Sequence, residues 1–574
     1  MGTWSILAVL GLSSAALAAP EQIQQIRIAF GAPGTMNVAW TSVDGVQDAV
    51  RWGVTGGALD RTASSDARFI NVTDQLPRYT HMAMLGGLSE GAAYDYAVGA
   101  AGATWTFTYR TKHVAGRPDR HVIFGDMGAS HAFSLCEACT ADSAVCDAAA
   151  CAANRTDAGL VGEVGKADMF LHVGDFAYNL GSANGTTGDQ FFRNIEQIAA
   201  TTPYMVSHGN HEDGDADLAQ FLERFRHVGY PQNAVPATFT GANGEAPNTL
   251  YFSWDAGLVH YVALSTELWF GVKSGAVDTK AMLAWLEADL AAANANRANV
   301  PWVVVHGHRS VYCSIALSDD GDCIDIVGFG PAGKVRKDME PLLHKYGVDF
   351  FINGHEHSYE RTYPVYKARS EKSNVDPAAT VYIVTGAAGS PEMHEGFSKI
   401  APSWSAFRSN SFGYSVLEAH NATHVHWQQV QTDPTLFPGT DYGRVIDDTW
   451  FVQHHHGPFD ARRAPAGTAW PRGDETAARS HDHWLPLLFP EEMARAKAAG
   501  VAPRASTALI RDFRNKHGDD AWARKQDAML RWVNQQQSAR GRTEWEDVRG
   551  DGSSEGVWFT WKEQDAHSVK VHEL

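Results

Sequence analysis

The stretch Asp349-Phe350-Phe351-Ile352-Asn353-Gly354-His355-Glu356-His357, DFFINGHEH, runs an apolar segment into a glycine and then sets two histidines one residue apart. Residues i and i+2 of an extended chain point the same way, so both imidazoles reach one small volume. That suits a metal ion, but two hydrogen-bonded loop histidines would leave the same trace. The meaning of the pair depends on whether other segments end alike.

Four of them do. Val122-Ile123-Phe124 ends in Gly125-Asp126-Met127-Gly128, and the run from Met169 to Val173 ends in Gly174-Asp175-Phe176-Ala177-Tyr178. Tyr204-Met205-Val206 leads through Ser207-His208 to Gly209-Asn210-His211-Glu212, and the run from Trp302 to Val305 ends in His306-Gly307-His308. Each end offers oxygen or imidazole donors beside a glycine that lets the backbone turn tightly. In open α/β sheets, sites form beyond the carboxyl ends of the strands. Packing has no use for polar groups at every corresponding end, so Asp126, Asp175, Tyr178, Asn210, His308, His355 and His357 are read as ligands of a dinuclear metal site.

The 574 residues exceed what one hydrophobic core usually organises, and several domains are expected. With 44% apolar and 11% aromatic residues the chain reads as globular. A net charge of -19 argues against nucleic acid as a partner. It leaves a phosphate ester open as a small-molecule substrate, since a metal centre supplies positive charge locally. The first residues, 1–18, hold an apolar stretch from Trp4 to Leu12 and then Ala16-Leu17-Ala18, the pattern of a secretory signal peptide that lacks a basic start. It is shorter than the ~20 residues needed to span a bilayer, and no later segment is apolar enough. Sequons at Asn71, Asn154, Asn184 and Asn421 accord with export and glycosylation. The closing Val571-His572-Glu573-Leu574 loosely resembles an endoplasmic-reticulum retention tail. Six cysteines suit an oxidising compartment: Cys136, Cys139, Cys146 and Cys151 are crowded together, and Cys313 and Cys323 enclose a short acidic loop. Two disulfides are expected among the crowded four, with tetrahedral zinc as the other reading.

From Gln22 to about Arg110, short alternating runs such as Met36-Asn37-Val38-Ala39-Trp40 and Tyr94-Asp95-Tyr96-Ala97-Val98 alternate with glycine-rich turns, as in a small β-sandwich. From Val122 onward, wholly apolar runs alternate with helical ones, the mark of strands buried on both faces. Met282, Trp285, Leu286 and Leu290 form one helical stripe, with Asp278 or Thr279 as its cap. The fold class is therefore mixed α+β and α/β, a sandwich followed by a layered domain with ligands at strand ends. Beyond Phe459, helical patterning from Ala521 to Gln537 and tryptophans at Trp545, Trp558 and Trp561 give no functional signal.

The order D-x-G, G-D-x-x-Y, G-N-H-E, V-x-x-H, G-H-x-H resembles purple acid phosphatase, within the calcineurin-like metallophosphoesterases, and the likeness spans most of residues 22–459. Val50-Arg51-Trp52-Gly53 resembles that family's fibronectin-like amino-terminal domain. Trp404-Ser405-Ala406-Phe407-Arg408, Asp448-Thr449-Trp450 and His456-Gly457-Pro458-Phe459 resemble its closing segments. The resemblance implies the fibronectin-like domain at 20–112, an αββα metallophosphoesterase domain at 121–432 and a closing segment at 433–459; the signal peptide at 1–18 precedes it and an extension at 460–574 lies beyond it. It implies that Asp126, Tyr178 and His357 hold iron(III), that Asn210, His308 and His355 hold a divalent zinc, manganese or iron ion, and that Asp175 bridges them. Phenolate and carboxylates suit hard iron(III), whereas imidazoles and an amide suit a borderline divalent ion. His211 is implied as the catalytic residue that contacts the phosphate or its leaving oxygen.

The function implied is an exported acid phosphatase that hydrolyses monoesters through metal-bound hydroxide. The alternatives are a phosphodiesterase or nucleotide pyrophosphatase, and a non-catalytic phosphate- or partner-binding protein. Glu212 and His172 are read as orienting the ligands, and Tyr359 and Glu360 as structural. His306 also satisfies V-x-x-H, but the spacing from Trp302 and to Tyr312 favours His308. Two departures from the family pattern stand out: no histidine occurs from Tyr312 to Leu317, and Ser310 stands where proline is usual.

Overall fold

The structure, a computed structural model, describes residues 23–461 apart from 44, 46–47, 71–77, 100–102, 130–155, 214, 230–248, 273–277, 316–329, 393, 395, 398–400 and 433–442; beyond 461 it describes only Lys516. The expected signal segment, the sequons at Asn71 and Asn154, five of the six cysteines and nearly all of the extension from 460 fall outside the described residues. Cys313 is buried and is not a free thiol.

The alternating amino-terminal runs form eight strands: β1 (Ile23–Phe30), β2 (Met36–Ser42), β3 (Ala49–Val54), β4 (Arg61–Ser64), β5 (Asp66–Ile70), β6 (Arg78–Leu85), β7 (Ala93–Val98) and β8 (Trp105–Thr108). They pair as two four-stranded antiparallel sheets, in the orders β1-β2-β6-β5 and β4-β3-β7-β8. Ile28, Val38 and Trp40 of one sheet and Val50, Tyr96 and Phe107 of the other are buried, as the period of two requires of a sandwich.

Largely apolar runs then give mostly buried strands: β9 (Asp119–Phe124), β10 (Met169–His172), β11 (Tyr204–Val206), β12 (Tyr251–Ala256), β13 (Val259–Leu264), β14 (Trp302–His306) and β15 (Phe350–Asn353). After them come β16 (Tyr359–Thr362), β17 (Val365–Tyr366), β18 (Arg369–Ser370), β19 (Val381–Thr385), β20 (Ser405–Ser409), β21 (Gly413–Asn421), β22 (His424–Gln431) and β23 (Val445–Val452). One sheet has the order β11-β10-β9-β21-β22-β23, its first three strands parallel. The other has the order β12-β13-β14-β15-β19-β16-β20, with β13, β14, β15 and β19 parallel.

Helices cover both sheets. Thr186–Ala199 packs against β1 and lays Phe191 beside His172 of β10, and Thr279–Ala295 and Gly330–Tyr346 pack together over the second sheet. The expected stripe on Thr279–Ala295 buries Met282, Leu286 and Leu290, Trp285 is half-buried against Tyr251, and Asp278 caps the first turn by accepting from Ala281 N at 2.7 Å. Among the described residues, no helix is long and apolar enough to cross a membrane.

The sandwich is joined to the layered domain through buried charge. Arg78 of β6 and Arg224 both bind Asp189, at 2.7 and 2.9 Å, and Arg27 of β1 donates from Nε to the carbonyl of Arg224 at 3.1 Å. Burial, then the neighbouring Arg224 and Arg226, pushes Arg27 down to about 9. Asp189 is the carboxylate that lets two buried guanidinium groups share one junction. Asp189→Ala should therefore cost about 3–5 kcal/mol, read as a lower urea midpoint, because it leaves buried cations unpaired; a change below 1 kcal/mol would contradict this role.

A second charge cluster ties β12, β13 and the helix Thr279–Ala295 together. His260 Nδ1 lies 2.7 Å from Asp255 and Nε2 lies 2.9 Å from Asp289. Burial works against the imidazolium, yet the two carboxylates raise it to about 9. A folded pKa above the unfolded value of ~6.5 means stabilisation that is complete below that pH and lost as pH rises through about 9. The stability gap between the parent and His260→Gln should therefore be widest near pH 6 and close by about pH 9.5 in chemical denaturation.

Candidate metal centre

Four of the seven expected ligands adopt left-handed backbone: Asp126 (φ 60°), Asp175 (φ 55°), Tyr178 (φ 54°) and His355 (φ 72°). Non-glycine residues seldom do so, and each instance costs on the order of 1–3 kcal/mol, kept only where the surroundings demand it. The demand here is a sharp turn directly after each strand. Glycines let the turns approach one another: a Cβ on Gly354 would lie 2.2 Å from Asp126 Oδ2, and one on Gly209 would lie 2.3 Å from Asp175 Oδ1.

The turns gather all seven side chains, three of the strands coming from one sheet and two from the other. Asn210 Oδ1 is 2.9 Å from both His308 Nε2 and His355 Nδ1, and Asp175 Oδ2 is 3.1 Å from His308 Nε2. On the other side, the Tyr178 hydroxyl is 2.7 Å from His357 Nε2 and 3.5 Å from Asp126 Oδ1, with His357 Nε2 3.6 Å from the same oxygen. The donors thus lie in two groups, Asn210, His308, His355 and Asp175 in one and Tyr178, His357 and Asp126 in the other. Burial and then the charge of Asp175 push the Asp126 carboxyl well up, and burial with both carboxylates does the same to the Tyr178 phenol. Asp175 is held low despite burial, because His308 and His211 face it. Buried carboxylates crowded among imidazoles and a phenol form a donor set that fits metal cations, whose charge would settle the repulsion between Asp126 and Asp175.

Neighbouring groups fix these donors. His308 Nδ1 lies 2.9 Å from the Val173 carbonyl, which turns Nε2 toward the centre. Glu212 accepts from the backbone N–H groups of Asp175, Phe176 and Gly209 at 2.9, 3.0 and 3.1 Å and so locks two of the loops, as its reading as an orienting residue anticipates. Burial and the charge of Asp175 raise it to about 8. His211 donates its backbone N–H to Asp175 at 2.9 Å, and its ring sits 4.4 Å from that of Tyr178. Its Nδ1 is 2.8 Å from Asn179 Oδ1 and its Nε2 3.4 Å from Glu392. Burial opposes its charge, but Glu392 and then Asp175 raise it to about 9.

His172 binds the Tyr204 hydroxyl at 2.7 Å, packs among Phe124 and Phe176 and also meets the Asp175 backbone, and burial pushes it down to about 3. The alternation of side chains along β10 turns it into the aromatic layer. His306 likewise lies edge-on to Trp254 inside the strand, away from the donors, and the preference for His308 accords with the geometry. Tyr359 and Glu360 are structural, bound to Asp447 and to Ser314 and Ser405. Ser310, in place of proline, accepts from Asn353 Nδ2 at 2.7 Å and ties β15 to the His308 loop.

Sequence reasoning missed Arg309, Glu267, Asn179 and Glu392. Arg309 Nη1 is 3.2 Å from His355 Nε2, and its Nε is held by Glu267 at 2.8 Å. Only adjacency to His308 and Tyr178 hinted at Arg309 and Asn179.

Residues 23–113 match the purple acid phosphatase N-terminal domain, 122–359 the calcineurin-like phosphoesterase and 379–448 the iron/zinc purple acid phosphatase-like protein C. Acid phosphatase type 7 of Danio rerio is 34% identical over 460 residues, covering 76% of this chain and 93% of the relative. The human protein of the same name is 35% identical over 461 residues, covering 78% and 94%. Among solved structures, purple acid phosphatase PPD1 from yellow lupin (Lupinus luteus) seeds shares the fold, with a TM-score of 0.56 at 22% identity over 76% of this chain and 75% of that one. Three matched segments in sequence order, together with relatives aligned over most of their length, establish that the chain belongs to the purple acid phosphatase family of calcineurin-like phosphoesterases.

Proposed function

We propose that the protein is an exported acid phosphatase that hydrolyses phosphate monoesters at a centre of iron(III) and a divalent zinc, manganese or iron ion. The observation that carries this reading is the convergence of seven donors from five strand ends, four of them on left-handed backbone. Asp126, Tyr178 and His357 would hold the ferric ion, Asn210, His308 and His355 the divalent one, and Asp175 both. When bound, such a pair supplies positive charge for a phosphate and an acidified water for attack.

The chain's own groups position and polarise. His211, fixed by Asn179 and Glu392, has its Nε2 4.0 Å from Asp175 Oδ2 and is only partly exposed, within reach of a phosphate held over the centre. It donates a hydrogen bond to the phosphate or its leaving oxygen. Glu212 keeps the Asp175 and Asn210 loops in register, and Arg309 braces His355 through its tie to Glu267. The same reading divides the chain at 20–112, 121–432 and 433–459, with an extension from 460.

Visible spectroscopy with metal analysis tests the ferric assignment. The purified protein should be pink or purple with about one iron per chain, because a tyrosinate donates charge into iron(III). Tyr178→Phe should bleach the band. His211→Ala should keep it while lowering kcat on p-nitrophenyl phosphate about 100-fold. A colourless protein holding zinc or manganese alone would sink the iron assignment, and faster turnover of a diester than of the monoester would sink the substrate class.

Export is supported by the two sequons within the described residues. Asn184 lies in a turn and Asn421 at the end of β21, and both are exposed, so an oligosaccharide on either meets no packing. Protein expressed in a secreting eukaryotic host should lose mass on enzymatic removal of N-linked glycans, and Asn184→Gln and Asn421→Gln should each remove part of that loss. A secreted product of unmodified mass would contradict the glycoprotein reading.

A further inference from the structure

Away from the centre, three adjacent strands present a second group of donors. In the register of β21, β22 and β23, Glu418 lies opposite His426, and His426 opposite Trp450. His420 is two residues beyond Glu418, at the irregularity between Ala419 and Asn421, where the pairing shifts. Bulges of this kind re-aim a side chain. Here the ring of His420 lies 4.8 Å from that of Trp450 and 6.4 Å from that of His426, on the same face as Glu418.

The spacing is informative. Glu418 Oε2 is 3.5 Å from His420 Nε2 and 3.5 Å from His426 Nδ1. Both distances exceed the ~2.7–3.2 Å of a good N–H···O hydrogen bond. They match the ~3.4 Å that separates two ligands of a tetrahedral ion bound at ~2.0–2.1 Å. His420 Nε2 is shielded from solvent and, among the described residues, has no hydrogen-bond partner.

The surroundings hold the donors in place. The other carboxylate oxygen of Glu418 takes Arg120 Nη1 at 2.5 Å, which leaves Oε2 for the histidines. The second ring nitrogen of His426 binds Asp448 Oδ1 at 2.8 Å, the carboxylate partner that metal-ligating imidazoles usually carry. Trp450 stacks on the same ring, at 4.5 Å and 12°.

We propose that Glu418, His420 and His426 form a further metal site, for zinc or a similarly borderline divalent ion, with water in the fourth position. The site is separate from the catalytic centre. Glu418 pairs with Arg120 at the start of β9, whereas Asp126 follows the far end of that strand, about 20 Å away at strand rise. An ion there clips β21 to β22 and fixes the bulge.

The test is a zinc count on the holoenzyme with its catalytic metals loaded, after equilibrium dialysis against micromolar zinc. The parent should bind about one zinc per chain more than the double variant His420→Gln/His426→Gln, with equal turnover of p-nitrophenyl phosphate and matching circular dichroism. Asp448→Asn keeps all three donors and should weaken the extra zinc about 10- to 100-fold. The single variant His420→Gln gives the same stoichiometric readout with the Trp450 stack left in place. Equal uptake by the parent and His420→Gln overturns the proposal, as does a parent that binds no zinc beyond its catalytic metals.

Discussion

Asp126 and Asp175 lie side by side with essentially no exposure, and Glu212 brings a third carboxyl into the same interior. Desolvating one carboxylate already costs several kcal/mol, and like charges in a low dielectric add to that. A fold can keep such a cluster only by answering each charge. Glu212 is answered by three backbone N–H groups, Asp175 by His308 and His211, and Asp126 by the N–H of His355 at 2.9 Å. These answers require the turns after β9, β10, β11, β14 and β15 to meet at one point. The left-handed residues, the close glycines and the face-to-face sheets all serve that meeting.

Metal ions complete the set of answers in the proposed centre, and the repulsion gives them their hold. The left-handed backbone at Asp126, Asp175, Tyr178 and His355 belongs to the fold itself, so the turns are already shaped to bring the donors together. The same logic separates the two clusters described above. In the proposed centre Asp126, Asp175, His308 and His357 are buried and four of the seven donors have left-handed backbone, whereas Glu418, His420 and His426 are all partly exposed on ordinary strand pairs with one irregularity.

Much of this was legible in the amino-acid order, because the donors follow short apolar runs that cannot be mistaken for surface. Position relative to the strand end carried the information: His308 comes after the glycine and His306 before it, and their surroundings differ accordingly. His172 shows what sequence position leaves out: it stands beside Asp175 as the order suggests, but as the last residue of its strand it also turns its ring into the aromatic layer and binds Tyr204. Contacts between distant segments were hidden for another reason. Glu267 with Arg309, Glu392 with His211, and Asp189 with Arg78 join residues that no local pattern relates. The junction of the sandwich with the catalytic layers looked, in sequence, like isolated charges on separate elements.

The central strand of the first sheet, β9, has β10 on one side and β21 on the other, with Ile123 opposite Ser415. Roughly 290 residues of chain separate those two partners. At ~5–20 residues per second on the ribosome, β9 waits on the order of 15–60 s before its second neighbour exists. The strand that leads to Asp126 thus emerges with one edge unpaired while most of the protein is still being made. Assembly of the catalytic layers is necessarily a late event in synthesis, and until then β9 carries a row of unpaired backbone N–H and C=O groups along that edge, a template for wrong pairing.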